Sequence, residues 1–457
     1  MNNVQWANPA DSGRPATAYD GIHKIKHVVI VMQENRSFDS YFGTFPGADG
    51  IKLRDGVPAA CVPDPNAGTC VRPYHDVQDV NHGSAHSHPY AVADIDNGKM
   101  DGFIAAAERR GQSCNGPNDP NCPGGDHSDV MGYHDGRDIP NYWSYAHGFV
   151  LQDRMFEPVS SWSLPSHLFM VSEWSAKCRL PGVALSCTNQ PNEPSRPVDH
   201  FRRKTPDTIP PIQPSYAWTD LTYLLHAHQI SWAYYVYPGT EPDCDDAAAT
   251  CAPKMQRADT PGIWNPLPDF STVKNDRELK NVQDIAKFYQ AAAAGTLPSV
   301  VWLAPNGIVS EHPPGRVSAG QTYVTGVVNA IMRGPDWQST AIFIAWDDWG
   351  GFYDHVPPPA IDANGYGLRV PALVISPFAK SGYIDHQTLS FDAYVKFIED
   401  DFLDGARLDP RTDGRPDLRP DVRENARALG DLRNDFDFDQ TPLPPLILPE
   451  HPHTDLH

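Results

Sequence analysis

An α/β architecture with a mostly parallel central sheet follows from three observations. Short continuous apolar runs recur along the chain, each breaks into polar or glycine-rich residues, and segments of helical spacing lie between them. The clearest run, Ala341-Ile342-Phe343-Ile344-Ala345, leads into Trp346-Asp347-Asp348-Trp349-Gly350-Gly351-Phe352-Tyr353-Asp354-His355. Its aliphatic and aromatic residues followed by Gly-Gly predict a buried strand and a turn. Two adjacent carboxylates then stand at the strand's C-terminal end, the edge where open α/β sheets bind ligands. Neighbouring carboxylates repel unless a cation or a shared proton neutralises them, so the pair points to a metal; solvated loop aspartates are the alternative.

The other elements follow in order. His27-Val28-Val29-Ile30-Val31-Met32 predicts a central strand that ends in Gln33-Glu34-Asn35-Arg36. Residues 44–140 lack periodicity and are dense in Gly, Pro, Asn, Asp and Cys, which predicts a long insertion over the sheet edge. Phe149 to Phe156 reads as a strand, and Ser163-Leu164-Pro165 as a helix start with Ser163 near the N-cap. A helix from Asp220 to His228, a strand at 230–236, a second insertion at 238–276 and a helix over 277–293 come next. After these the strand at 299–306, the helix Gln321 to Met332, the strand at 341–345, a further strand at 368–376 and an amphipathic helix over 391–402 complete the alternation. Beyond about 405 the chain is charged and then Pro-rich, which predicts a tail wrapping the surface.

The chain of 457 residues carries 36 Lys+Arg against 57 Asp+Glu, a formal charge of −21. Such a field repels nucleic acid and anionic bilayers. Eight cysteines fall in four close pairs: Cys61 with Cys70, Cys114 with Cys122, Cys178 with Cys187, and Cys244 with Cys251. A Cys-x2-Cys zinc pattern is absent, so four sequential disulfides and an oxidising compartment, periplasmic or extracellular, are expected. The start does not resemble a signal peptide, and the expectation is that an export signal precedes this numbering. No apolar stretch approaches the ~20 residues that span a bilayer.

Glu34, Asn35, Asp347 and Asp348 are hard oxygen donors at two strand ends, a set suited to one divalent ion, Ca²⁺, Mg²⁺ or Mn²⁺ in preference to Zn²⁺. A hydroxyl at the start of a helix, Ser163, lies beside an anion-binding N-terminus and is placed to attack phosphorus; simple capping is the alternative. His82, His86 and His88 are spaced to bind a metal or phosphate, or to form a solvated loop. Histidines such as His82 and His312 can hydrogen-bond phosphoryl oxygens or protonate a leaving group. The chemistry that fits is phosphate-ester hydrolysis through a phosphoserine.

The strings ENRSFD (34–39), NGKMDGF (97–103), SWSLPSHLF (161–169), SEHPP (310–314) and WDDWGGFYDHVPPP (346–359), with the RVPALVISPFAK region, occur in one order. Together they resemble the bacterial phosphoesterase family over about residues 25–440. That family includes phosphatidylcholine-type phospholipases C, their plant non-specific relatives and respiratory-burst-inhibiting acid phosphatases. The resemblance implies one alkaline-phosphatase-like α/β/α domain over 1–457, and a metal on Glu34, Asn35, Asp347 and Asp348 with Ser163 as nucleophile and ligand. It maps the family's histidines onto His82 and His312, and puts His355, with Asp354 and His86, around the metal carboxylates or the substrate. The chain departs from many phospholipase relatives at Asp347-Asp348, where they carry Asp-Glu, and at Ser166-His167, where they carry Asn-Arg.

The leading expectation is therefore a metal-dependent phosphoesterase of phospholipase C type, acting on a phosphate-ester or phospholipid substrate with transient contact to a membrane surface. An acid phosphatase acting on monoesters is the alternative, and a metal-stabilised binding protein with a disabled site is the alternative of another class.

Overall fold

Eight strands form the central sheet: β1 (His27–Gln33), β2 (Val150–Gln152), β3 (Trp232–Val236), β4 (Val282–Asp284), β5 (Val300–Ala304), β6 (Thr340–Trp346), β7 (Ala372–Ile375) and β8 (Tyr383–Asp385). Their order across the sheet is β4-β3-β5-β1-β6-β7-β2-β8. The structure, a computed structural model, describes residues 21–109, 128–195, 216–242 and 253–457.

All neighbours pair in parallel except β7, which runs against both β6 and β2. The reversal has a simple cause. No helix lies between β6 and β7, and a parallel pairing of adjacent strands needs a crossover, usually helical. Every residue of β5 and β6, and of β1 from Val28 onward, is buried, so the middle of the sheet is covered on both faces. The helices are α1 (Phe38–Phe42), α2 (His88–Ile95), α3 (Phe103–Arg109), α4 (Pro140–Gly148), α5 (Ser163–Ser172), α6 (Leu221–Ala227), α7 (Ser271–Asn275), α8 (Ile285–Ala294), α9 (Val317–Arg333) and α10 (Asp392–Phe402). Two groups pack together, α4 and α8 on α9, and α5 against α6 and α10, while α2 and α3 pack on each other in a separate apolar cluster. This is the layered α/β class that the alternation predicts.

The helix expected over 277–293 begins only at Ile285. Arg277 takes a positive φ of 61°, Val282–Asp284 pairs with β3 as an edge strand, and the Asp284 carboxylate caps Ala286 N–H at 2.8 Å. The strand read at 149–156 narrows to Val150–Gln152, after which Met155 and Phe156 make isolated bridges to Leu389 and Arg369. Residues 44–140 contain α2, α3 and short hairpins. The C-terminal tail lies along the surface: Asp79 N–H donates to the His457 carbonyl, and Leu448 N–H to Asn329.

Of the four expected disulfides, two are present among the described residues, Cys61–Cys70 and Cys178–Cys187. The other two fall elsewhere: Cys114 and Cys122, expected to pair with each other, and Cys244 and Cys251, likewise expected to pair, all lie outside the described residues. Among the described residues no helix is long and apolar enough to cross a membrane.

Candidate active site

The site begins with sheet register. Gln33 and Trp346, the last residues of β1 and β6, are directly paired. Both chains leave the sheet at the same level, which sets Glu34 and Asn35 beside Asp347 and Asp348. Asp347 N–H donates to the Gln33 carbonyl at 3.0 Å, and Asn35 N–H returns to Asp347 Oδ1 at 3.1 Å. Asn35 turns there through a positive φ of 53°, and its amide Nδ2 donates to Asp348 Oδ1 at 2.8 Å. Gly350 and Gly351 follow with φ of 63° and 78°. A Cβ on Gly350 would stand 2.8 Å from the Asn35 carbonyl oxygen, and one on Gly351 2.7 Å from Ser84 N, so only glycine lets the three segments meet.

Helix α5 brings the third component. Trp162 occupies the N-cap without a side-chain cap, and Ser163 is the first helical residue. Its hydroxyl is therefore not a cap; it donates to Asp348 Oδ2 at 3.2 Å. One turn on, His167 Nε2 lies 3.0 Å from Glu34 Oε1 and 4.0 Å from Asp347 Oδ2. Glu34, Asn35, Ser163, His167, Asp347 and Asp348 are all fully buried.

Two histidines approach from loops. His86 Nε2 stands 4.0 Å from Asp348 Oδ2, and its ring lies 5.8 Å from that of His312. The loop carrying His312 is tied to the site through the Ser310 carbonyl, which accepts Glu34 N–H at 3.0 Å. Glu311, at a positive φ of 71°, anchors this loop by accepting from Tyr41, Tyr142 and Trp346 at 2.5, 2.5 and 3.1 Å. Such strain in a fully buried non-glycine residue persists only where the surroundings over-determine it. Nearby, burial, with repulsion from Asp348 added, holds the Glu157 carboxyl well above the ordinary carboxylate range.

These donors fit a cation. Glu34, His167 and Asp347 each offer a ligand atom within 4.8 Å of the others. Asn35 Oδ1 and Asp347 Oδ2 are buried and accept no hydrogen bond among the described residues. Buried acceptors are normally satisfied, and an ion between these atoms would satisfy both.

Other expected positions lie elsewhere. His82 is directed at Asp129, with Nδ1 3.4 Å from Oδ2 and 39% of its side chain exposed. His88 Nδ1 lies 2.7 Å from the Ser160 carbonyl. Asp354 and His355 join Asp39 and Arg369 in a separate group: Arg369 Nε donates to Asp354 at 3.0 Å and Nη2 to Asp39 at 3.1 Å. A guanidinium already supplies the positive charge there. Burial opposes a charge on His355, but Asp39 at 2.7 Å outweighs it and raises the imidazole's pKa.

The sequence profile described as the Phosphoesterase family matches residues 25–403. The chain belongs to the Phosphoesterase family. The chain is 27% identical over 434 residues to a non-hemolytic phospholipase C of Pseudomonas aeruginosa, covering 84% of the chain and 55% of the relative. It is 25% identical over 491 residues to phospholipase C B of Mycobacterium tuberculosis, covering 94% and 80%. A non-specific phospholipase C6 of Arabidopsis thaliana is 23% identical over 79% of the chain and 63% of its own length. The chain thus spans about half the length of the Pseudomonas relative. Among solved structures, a phosphonate monoester hydrolase of Agrobacterium radiobacter aligns over 86% of the chain and 78% of its own at 10% identity, TM-score 0.35. An alkaline phosphatase superfamily protein from Vibrio parahaemolyticus aligns over 66% and 68% at 11% identity, TM-score 0.33.

His167 stands out in the sequence as a departure from relatives and not as a site residue. A signal was available: it follows Ser163 by four positions, the spacing that stacks two side chains on one helix face.

Proposed function

We propose that this chain hydrolyses phosphate esters through a phosphoserine on Ser163, cleaving a phospholipid phosphodiester in the manner of a phospholipase C, in the periplasm or outside the cell. The observation that carries the reading is the buried convergence of Ser163, at the first position of α5, with Asp348, Asp347, Glu34 and His167. Glu34, Asn35, His167, Asp347 and Asp348 would hold a divalent ion, with Ser163 as a further donor. Such an ion supplies charge neutralisation and lowers the pKa of the serine hydroxyl.

The remaining steps belong to side chains and backbone. Ser163 Oγ passes its proton to Asp348, to which it donates, and attacks phosphorus; the bond to the alcohol breaks, and His312 or its neighbour His86 donates a proton to the departing oxygen. N–H groups at the start of α5 face the phosphoryl oxygens. Water then cleaves the Oγ–P bond, its proton goes to the same imidazole, and Asp348 returns the first proton to Ser163 Oγ. The names of the relatives favour the diester, since each is a phospholipase C.

Initial rates on p-nitrophenyl phosphorylcholine and p-nitrophenyl phosphate test the assignment. Turnover of the diester with weak turnover of the monoester is expected. A strong preference for the monoester would make the protein a phosphatase, and no turnover of either, with Ser163→Ala leaving ligand binding intact, would make it a binding protein.

A further inference from the structure

Helix α5 carries Ser163 at one end; the chain leaving its other end forms a small hairpin of Ala176–Cys178 and Cys187–Asn189, closed at its tip by the Cys178–Cys187 disulfide. The loop inside that ring, Arg179-Leu180-Pro181-Gly182-Val183-Ala184-Leu185-Ser186, is unusual for a protein surface. Leu180, Val183 and Leu185 are 56%, 44% and 56% exposed, and Pro181 and Gly182 are exposed with them. Isolated surface leucines are ordinary, whereas three large apolar side chains exposed within six residues of one disulfide-closed loop are not.

Part of the backbone of this tip is paired from within. Arg179 N–H donates to Ser186 O, Val183 N–H to Leu180 O and Ser186 N–H to Val183 O at 3.2, 3.3 and 2.9 Å. Ser186 Oγ accepts Leu180 N–H at 3.0 Å. Moving unsatisfied backbone groups out of water is costly, and these four internal bonds reduce that cost for a tip entering the interfacial layer of a bilayer. The disulfide holds the apolar side chains in place beforehand, which reduces the ordering cost of binding. Gly182, at a φ of 68°, makes the turn at the apex.

Charge identifies the partner. Lys177 and Arg179 are exposed at the base of the tip, and neither pairs with an acid among the described residues. Long basic side chains beside an apolar tip reach phosphate oxygens at the level of lipid headgroups. The whole chain carries −21, which opposes a negatively charged bilayer. The chain beyond the returning strand comes back to the site: Trp162, next to Ser163, donates its Nε1–H to the Asn192 carbonyl at 3.0 Å.

We propose that the Cys178–Cys187 knuckle is an interfacial anchor, inserting Leu180, Val183 and Leu185 into zwitterionic phospholipid bilayers while Lys177 and Arg179 contact headgroup phosphates. The inference rests on the phospholipase C reading of the site, and assigns to a short loop the membrane-surface contact that the sequence reading placed on no segment. Sedimentation with phosphatidylcholine vesicles tests it, using the full chain carrying Ser163→Ala so that lipid is not consumed. Binding is expected, and adding Leu180→Asp, Val183→Asp and Leu185→Asp should lower the partition coefficient by about tenfold or more. Lys177→Glu with Arg179→Glu should lower it by a smaller factor. In the active protein the triple substitution should depress hydrolysis of vesicle phosphatidylcholine and leave the rate on soluble p-nitrophenyl phosphorylcholine unchanged, which also shows that the variant is folded. Absence of vesicle binding, equal binding by the triple variant, or binding only when anionic lipid is added would each overturn the proposal. Loss of the function reading would show separately, as absent turnover of the soluble diester.

Discussion

Ser163 is the residue on which the chemical reading stands or falls. Its hydroxyl is buried, is not used as a cap and already donates to Asp348. Ser163→Ala is expected to cut kcat by about 10³-fold or more with the thermal midpoint little changed, because only the nucleophile is lost. A variant retaining a tenth of wild-type turnover would exclude a phosphoserine. His167 makes a different prediction: a nitrogen beside two carboxylates suits Mn²⁺ or Zn²⁺ better than Ca²⁺, which takes oxygen ligands. His167→Ala should therefore reduce bound Mn²⁺ or Zn²⁺, measured by elemental analysis after dialysis, by about tenfold. Unchanged metal content would remove His167 from the ligand set. Glu34, Asn35, Asp347 and Asp348 were legible in the sequence because each follows directly on an apolar run, and where a strand stops its next residues share one edge. His82 and His86 lie in a segment without periodicity, so nothing in the sequence indicated which ring would face Asp348 and which would face Asp129.

The elements that build the site were readable where burial is complete and obscure where it is partial. Strands β1, β5 and β6 are apolar throughout because both faces are covered, and their runs stand out. Edge strands β4 and β8 are three residues each and partly exposed, so they carry no run to detect. The direction of β7 depends on the missing helical crossover after β6, which a strand pattern does not encode. The turn after β6 was marked by Gly350-Gly351, and the structure gives this dipeptide its reason: three backbones meet where a Cβ has no room. Gly351→Ala combines a positive φ with a contact to Ser84 backbone and should destabilise the fold by ~1–3 kcal/mol. Activity should fall further than stability, since Ser84 leads directly to His86. Calorimetry and steady-state rates on the same preparation would check this; equal wild-type activity at a lowered thermal midpoint would show that the turn does not position His86.

At the scale of the whole molecule, the excess of acidic groups is partly buried, and burial sets the sign of the pH dependence. Asp401, near the end of α10, has Oδ1 3.0 Å from His23 Nδ1; burial pushes its carboxyl up to about 7 even though His23 and Lys26 oppose the shift. Glu173 and Glu399 are also held well above the ordinary range, first by burial and then by Glu424. In the unfolded chain these carboxyls titrate near ~4. Between about 4 and about 7 the folded chain therefore keeps a proton on Asp401 that the unfolded chain has released, and stability falls as pH rises through that window. Asp431 and Asp409 act in the opposite sense. Burial raises the first carboxyl but Arg433 outweighs it, and Arg411 holds the second low, so their contribution is lost only as pH falls below the ordinary carboxylate range. The two trends place maximal stability on the acid side of neutrality. Thermal midpoints measured from pH 4 to pH 8 should decline, and Asp401→Asn, which keeps the protonated shape at every pH, should flatten the decline and stabilise the protein at pH 8. A midpoint that rises across this interval in the wild type, or an Asp401→Asn profile parallel to it, would show that the buried carboxyls do not govern the pH response.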